Sequence, residues 1–127
     1  MPEEPFDDAA SLEAISPIDG RYAPQLAPLR PYFSESALIR YRVKVEIAYL
    51  LALCDHPLPE LEGVTRMERD KLHQLDVQFD AGQAAAVKHI EQVTNHDVKA
   101  VEYYIKEQMA EHAELASITE FVHFACT

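Results

Sequence analysis

Arg40-Tyr41-Arg42-Val43-Lys44-Val45-Glu46-Ile47 is the stretch on which the fold turns. Its strict alternation of polar and apolar residues is the pattern of a half-buried strand. The flanks point the other way. Ser36-Ala37-Leu38 before it and Tyr49-Leu50-Leu51-Ala52-Leu53 after it make one Pro- and Gly-free run from about Ser34 to Asp55. Such a run is too long for a typical strand and ordinary for a helix. We therefore read it as a helix, and the chain as all-α.

Working outward, the eight prolines all fall before position 32 or at 57 and 59. Pro24, Pro28 and Pro31 prevent a long regular helix before Ser34, because a proline inside a helix removes a donor and clashes with the preceding turn. Pro57 to Gly63 reads as a loop. Thr65 with Glu68 fits a capping box opening a helix that carries Met67, Leu72, Leu75 and Phe79. Gly82 is a candidate break, with Ala84 to Val93 resuming as helix or as a packed connection. Thr94 with Asp97 fits a second box, and behind it Val98, Val101, Ile105 and Met109 recur at three- and four-residue steps. That spacing predicts a helix from about His96 to Glu111 with one buried face. Ser117 with Glu120 predicts a last capped helix carrying Ile118, Phe121, Val122 and Phe124. Residues 1–14, acidic and Pro-bearing, are expected to form a mobile arm, and residues 15–127 one helical domain. The apolar ending Ala125-Cys126-Thr127 reads as a cut through a longer protein.

Charge limits the partners. Twenty-two acidic residues against eleven basic ones leave the 127-residue chain at −11, which argues against nucleic acid and against an anionic membrane surface. Between positions 16 and 44, however, Arg21, Arg30, Arg40, Arg42 and Lys44 face only Asp19 and Glu35. Any anion would be met locally. Cys54 and Cys126 lie in apolar contexts and are expected to be buried free thiols, which favours a reducing compartment. The acidic start is the opposite of a secretory or mitochondrial presequence, and no run approaches the roughly 18 apolar residues of a membrane span. A cytoplasmic location is the expectation.

Two places combine polar chemistry with rigid backbone. Ser16-Pro17-Ile18-Asp19-Gly20-Arg21-Tyr22 is a turn cluster that leaves an Arg fork and a phenol at its exit, suited to a phosphate or carboxylate. Equally, it is an ordinary surface turn. Asn95, His96 and Asp97 sit at a helix N-terminus, where free N–H groups and the macrodipole favour an anion. They also fit a plain helix cap. Asp70-x-x-His73 and Glu120-x-x-His123 raise a metal-binding bundle, but one pair begins with Asp and Glu120 has a capping role, so no metal site is expected. Gly-rich phosphate loops, Cys-x-x-Cys and His-Glu-x-x-His are all absent from the sequence.

Taken together, Ser16 to Tyr22, Thr94-Asn-His-Asp-Val-Lys-Ala-Val-Glu-Tyr-Tyr104 and Glu120-Phe-Val-His-Phe-Ala-Cys-Thr127 resemble, in order and spacing, the N-terminal domain of the adenylosuccinate lyase family, within the fumarase/aspartase superfamily. The resemblance covers residues 11–127 and implies the helical N-terminal domain of that fold without its central long-helix bundle. It implies a cofactor-free elimination of fumarate from adenylosuccinate and from the succinylcarboxamide nucleotide of purine biosynthesis. Arg21 and Tyr22 match residues contacting the nucleotide. Asn95, His96 and Asp97 match a second substrate-contacting triplet, Thr127 a residue holding the succinyl carboxylates, and His123 a histidine near the site. His96 and His123 are thus the candidate assisting residues. The family's catalytic His, in a Thr-His-Gly-Gln type motif, and its catalytic Ser, on a Ser-Ser-x-Met-Pro loop, have no counterpart here, so the 127 residues alone are expected to be inactive. The family also works as a homotetramer around a long central bundle that these residues cannot build, so self-association or marginal stability is expected. The competing expectation is a free-standing helical interaction module with an acidic face.

Overall fold

The computed structural model describes residues 8–126, and among these every regular element is helical. Residues 1–7 and Thr127 lie outside the described residues, as does the first half of the expected N-terminal arm. The chain divides into two compact units, Met1–Ala37 and Leu38–Thr127.

In the first unit α1 (Asp8–Leu12) forms a short helix within the expected arm. The turn cluster then closes on itself: Ser16 N–H donates to Asp19 Oδ1 at 2.8 Å and Ile18 N–H to Ser16 Oγ at 3.0 Å. Gly20 is buried, and a Cβ there would lie inside van der Waals distance of the Ser11 carbonyl oxygen. Glycine permits the close approach. Next come three helical pieces, α2 (Ala23–Leu26), a 3-10 turn (Ala27–Leu29) and α3 (Arg30–Phe33), each with a proline in its first two positions. The prolines keep this stretch from being one long helix, as the sequence predicts, and each instead opens a short piece. Ser34 ends this run and starts the next helix. Its hydroxyl donates to the Arg30 carbonyl at 2.6 Å and accepts from Ala37 N–H at 3.1 Å.

The long helix α4 (Glu35–Asp55) settles the ambiguous stretch. Ile39, Val43, Ile47, Leu50 and Cys54 are buried at helical spacing. Val45, which a strand would place on the same face as Val43 and Ile47, is 65% exposed, whereas Val43 is 0% exposed. Asp55 and the Cys54 carbonyl at the end of α4 are held by Arg69, at 2.5 and 3.1 Å. A guanidinium there answers carbonyls that the helix leaves unpaired.

The rest of the second unit packs around that face. α5 (Arg66–Val77) opens with the expected capping box of Thr65 and Glu68. α6 (Ala81–Thr94) opens with a box absent from the sequence reading, in which Asp80 accepts from Gly82 N–H at 2.8 Å and Gln83 reaches back to Asp80 N–H at 3.0 Å. Gly82 therefore lies in the first turn of a helix rather than at a break. α6 and α7 (Asp97–Ala110) form a helical hairpin, joined by Asn95 and His96. Leu72, Val87, Val101, Ile105 and Met109 carry the core to Leu115 of α8 (Ala113–Ala116). Phe79 packs edge-on to Tyr104, with ring centroids 5.7 Å apart.

The expected final helix is not formed. Ser117 ends α8, its hydroxyl donating back to the Glu114 carbonyl at 3.1 Å, and a 3-10 turn (Thr119–Phe121) follows. Ile118, Phe121 and Val122 are nonetheless buried, while Phe124 is exposed. Burial followed the apolar pattern at three of its four positions even where the backbone did not. No helix among the described residues is long and apolar enough to cross a membrane.

Candidate functional site

The α6–α7 hairpin turns in two residues. Asn95 adopts the left-handed conformation at φ 53°, ψ 33°, and its N–H donates to the Glu91 carbonyl at 2.7 Å. Asn is one of the few residues that takes this conformation readily, so it serves as the C-cap. The turn moves the start of α7 past Thr94. The expected Thr94–Asp97 capping box therefore does not form, since Thr94 is the last residue of α6 and its hydroxyl only braces the turn at His96. His96 is the N-cap instead, its Nδ1 accepting from Lys99 N–H at 2.9 Å. A ring nitrogen that accepts carries no proton, so the neutral ring holds its proton on Nε2. His96 thus presents a donor.

Asp97 is engaged twice. Its Oδ1 accepts from Val98 N–H at 2.9 Å, and its Oδ2 meets Arg42 Nη2 of α4 at 2.9 Å. The Val98 N–H first and Arg42 next hold its carboxyl below the usual carboxylate range. Asp97 thereby ties the start of α7 to α4.

The segment after the 3-10 turn is held down by two residues one turn apart on α4. Tyr49 Oη donates to the Phe124 carbonyl at 2.7 Å, and Glu46 Oε1 meets His123 Nδ1 at 2.6 Å. His123 and Ala125 are left-handed at φ 60° and 59°, uncommon for residues other than Gly, Asn and Asp. Burial first, and Cys126 beside it next, push the Tyr49 phenol up. Cys126 itself is exposed, contrary to expectation, because this irregular segment turns it away from the core, while Cys54 is buried as expected.

These local arrangements bring His96 and His123, twenty-seven positions apart, to one hollow of about 320 Å³ that Val98, Lys99, Glu102 and Cys126 also line. Glu102 is only 7% exposed and lies between Lys99 at 3.3 Å and Lys106 at 3.0 Å. Burial raises its carboxyl, but the two lysines outweigh burial and hold it below the usual range. The Glu102 carboxylate in turn steadies the Lys99 ammonium at the rim. The hollow is lined by two imidazoles and a lysine, a set suited to an anionic ligand that also carries neutral hydrogen-bonding groups.

In the first unit Arg21 and Tyr22 stand at the exit of the turn, as their spacing predicts. The guanidinium lies 5.1 Å from the centroid of the Tyr22 ring, and both residues line a hollow of about 330 Å³ with Ser11, Ile15 and Pro17. Thr127 falls outside the described residues. Glu46, Tyr49, Lys99, Glu102 and Cys126 went unassigned in the sequence reading. Lys99-x-x-Glu102-x-x-x-Lys106 was legible as a helical charge triplet, whereas nothing in the sequence pairs Glu46 with His123. Among the described residues no group of three or more His, Cys, Asp or Glu side chains could hold a metal ion.

No family model matches the chain. Curated relatives do. The adenylosuccinate lyase of Escherichia coli strain K12 is 45% identical over 123 residues, covering 94% of this chain and 26% of that protein. That of Legionella pneumophila strain Corby is 46% identical over 118 residues, 92% of this chain and 26% of the relative. That of Dictyostelium discoideum is 48% identical over 124 residues, again 92% and 26%. The chain is homologous to these proteins along nearly its whole length, and it spans about a quarter of theirs.

Proposed function

We propose that this chain is a substrate-binding portion of an adenylosuccinate lyase, a carbon–nitrogen lyase that eliminates fumarate from adenylosuccinate and from the succinylcarboxamide nucleotide of purine biosynthesis. The observation that carries the reading is the meeting of His96 and His123 in one hollow beside Lys99, in a chain 45% identical to a protein of that name.

In this reading each residue has a task its geometry allows. Lys99, braced by Glu102, answers a carboxylate of the succinyl group, and His96 donates to it from Nε2. Arg21 offers a planar fork to the nucleotide phosphate, with Tyr22 stacked beneath it. Asn95 and Asp97, whose backbone and side-chain bonds build the hairpin, hold His96 in place. Thr127 joins the carboxylate-binding set. Elimination further needs a base for the proton beside a carboxylate and an acid for the leaving nitrogen. The family motifs supplying that acid and base have no counterpart in these 127 residues, which therefore bind without turning over. Apolar side chains left exposed on α4, Leu38 and Val45 among them, support association with further copies, as in a homotetramer.

Fumarate release from adenylosuccinate tests the reading, measured on this chain alone and on a longer protein that contains it. Activity in the longer protein only is the expected result, and His96→Ala there should lower turnover at least tenfold while leaving the fold intact. Silence in both would overturn the lyase reading.

A further inference from the structure

Glu46 has no task in the lyase reading, yet it reaches from α4 to a residue of the hollow. Its Oε1 lies 2.6 Å from His123 Nδ1, across 77 positions of sequence, and both side chains are largely buried. Its other oxygen, Oε2, is buried with no hydrogen-bond partner among the described residues. A buried carboxylate without further donors depends on the partner it has. An ionised carboxylate can only accept, so the proton in this bond belongs to His123 Nδ1. When the ring is neutral, Nε2 is then the bare nitrogen.

We infer that Glu46 is a positioning residue, which locks His123 in the Nδ1–H tautomer and so gives the hollow an acceptor nitrogen opposite the donor nitrogen of His96. His96 has its proton on Nε2 because its Nδ1 caps α7 at Lys99 N–H. The two rings that line the hollow are thus set in opposite tautomers by two unrelated partners, a backbone N–H for His96 and a side-chain carboxylate for His123. The pairing suits a ligand that offers an oxygen to one ring and an N–H or acidic C–H to the other. Identical tautomers would serve only one of these. The left-handed backbone at His123 adds to the aim, since strain at a non-Gly residue persists only where its surroundings hold it. The charged and titratable groups around the ring are Glu46 and Tyr49 from α4, His96, Lys99 and Glu102 from α7, and Cys126 from its own segment. Of these, Glu46 is the one bonded to the ring. The assignment of a ligand to the hollow rests on the lyase reading; the tautomer does not.

The test is nitrogen NMR of the 127-residue chain labelled with 15N-histidine, at a pH where the rings are neutral. His123 should show a protonated-type Nδ1 and a bare-type Nε2, and His96 the reverse. Glu46→Leu should release His123 to a mixture of tautomers. Glu46→Gln, the same size and able to turn its NH2 toward Nδ1, should move the proton to Nε2 and guards against misfolding of the first variant. A wild-type His123 with its proton on Nε2, averaged signals like those of a free histidine, or a tautomer unchanged in both variants would overturn the inference. In the longer protein, Glu46→Gln should lower kcat/KM for fumarate release tenfold or more, and should do nothing further in a His123→Ala background. Absence of fumarate release in wild type would instead sink the lyase reading and leave the NMR result standing.

Discussion

The two units of this chain keep their shape by different means. In the first, Leu12, Ile15, Tyr32 and Phe33 are all exposed, and Phe33 is 81% so. Shape there comes from prolines at helix starts, an Asp19 turn and one glycine against a carbonyl. The second unit has the opposite character: a continuous apolar core from α4 to the 3-10 turn, with capping boxes at the starts of α5 and α6. One unit is specified by local backbone chemistry, the other by burial. A unit held by burial responds to lost methylenes, and a unit held by turns responds to altered backbone.

The largest effect should therefore come from the core. Leu72→Ala, at a fully buried position, should destabilise the second unit by about 3 kcal/mol in urea unfolding. Gly20→Ala should cost the first unit about 2 kcal/mol, because the new methyl collides with Ser11 and backbone must move. Amide exchange at Tyr22, whose N–H donates to the Pro17 carbonyl at 2.8 Å, would report it. Next comes the α7 cap. His96→Ala should lower melting stability by about 1 kcal/mol and His96→Asn should restore it, so that a turnover loss surviving in His96→Asn belongs to the imidazole rather than to the cap.

Acid should act on the second unit in a defined direction. Glu102 has its carboxyl lowered in the fold, so it contributes stability above its ordinary value and loses it as pH falls through the lowered one. Melting temperature should accordingly fall below about pH 4.3, the ordinary glutamate value, and Glu102→Gln should flatten that fall. The smallest effect belongs to the exposed surface of the first unit, where Phe33→Ser should change stability by less than about 0.5 kcal/mol. A large loss there would show that something covers Phe33 and would blur the contrast between the units.

Helix identity was the most legible property of the chain. Prolines confined to two zones, and apolar residues at three- and four-residue steps, left long stretches with a single regular solution, and these signals act within a few residues of one another. The Thr65 cap followed directly, as did the lack of a long helix through Pro24, Pro28 and Pro31. Other caps were misjudged for a reason equally local. Ser/Thr-x-x-Asp/Glu marks where a cap can form, but the left-handed Asn95 shifted the start of α7 to His96, and the helix after Ser117 gave way to a 3-10 turn. Where a chain reverses, one residue's choice of φ decides which neighbour becomes the cap.

By itself, then, the amino-acid sequence determined that the chain is helical, where α4, α5 and α7 lie, which of their faces are apolar, and that Arg21, Tyr22, Asn95, His96 and Asp97 occupy helix starts and turns. Tertiary structure alone decided that His96 and His123 share a hollow, that Glu46 reaches His123 and Tyr49 holds Phe124, and that Cys126 is exposed. The physical reason is range. Propensity and periodicity are summed over neighbours along the chain, whereas a 2.6 Å bond between residues 77 positions apart exists only once α4, α7 and the final turn have buried their apolar faces together.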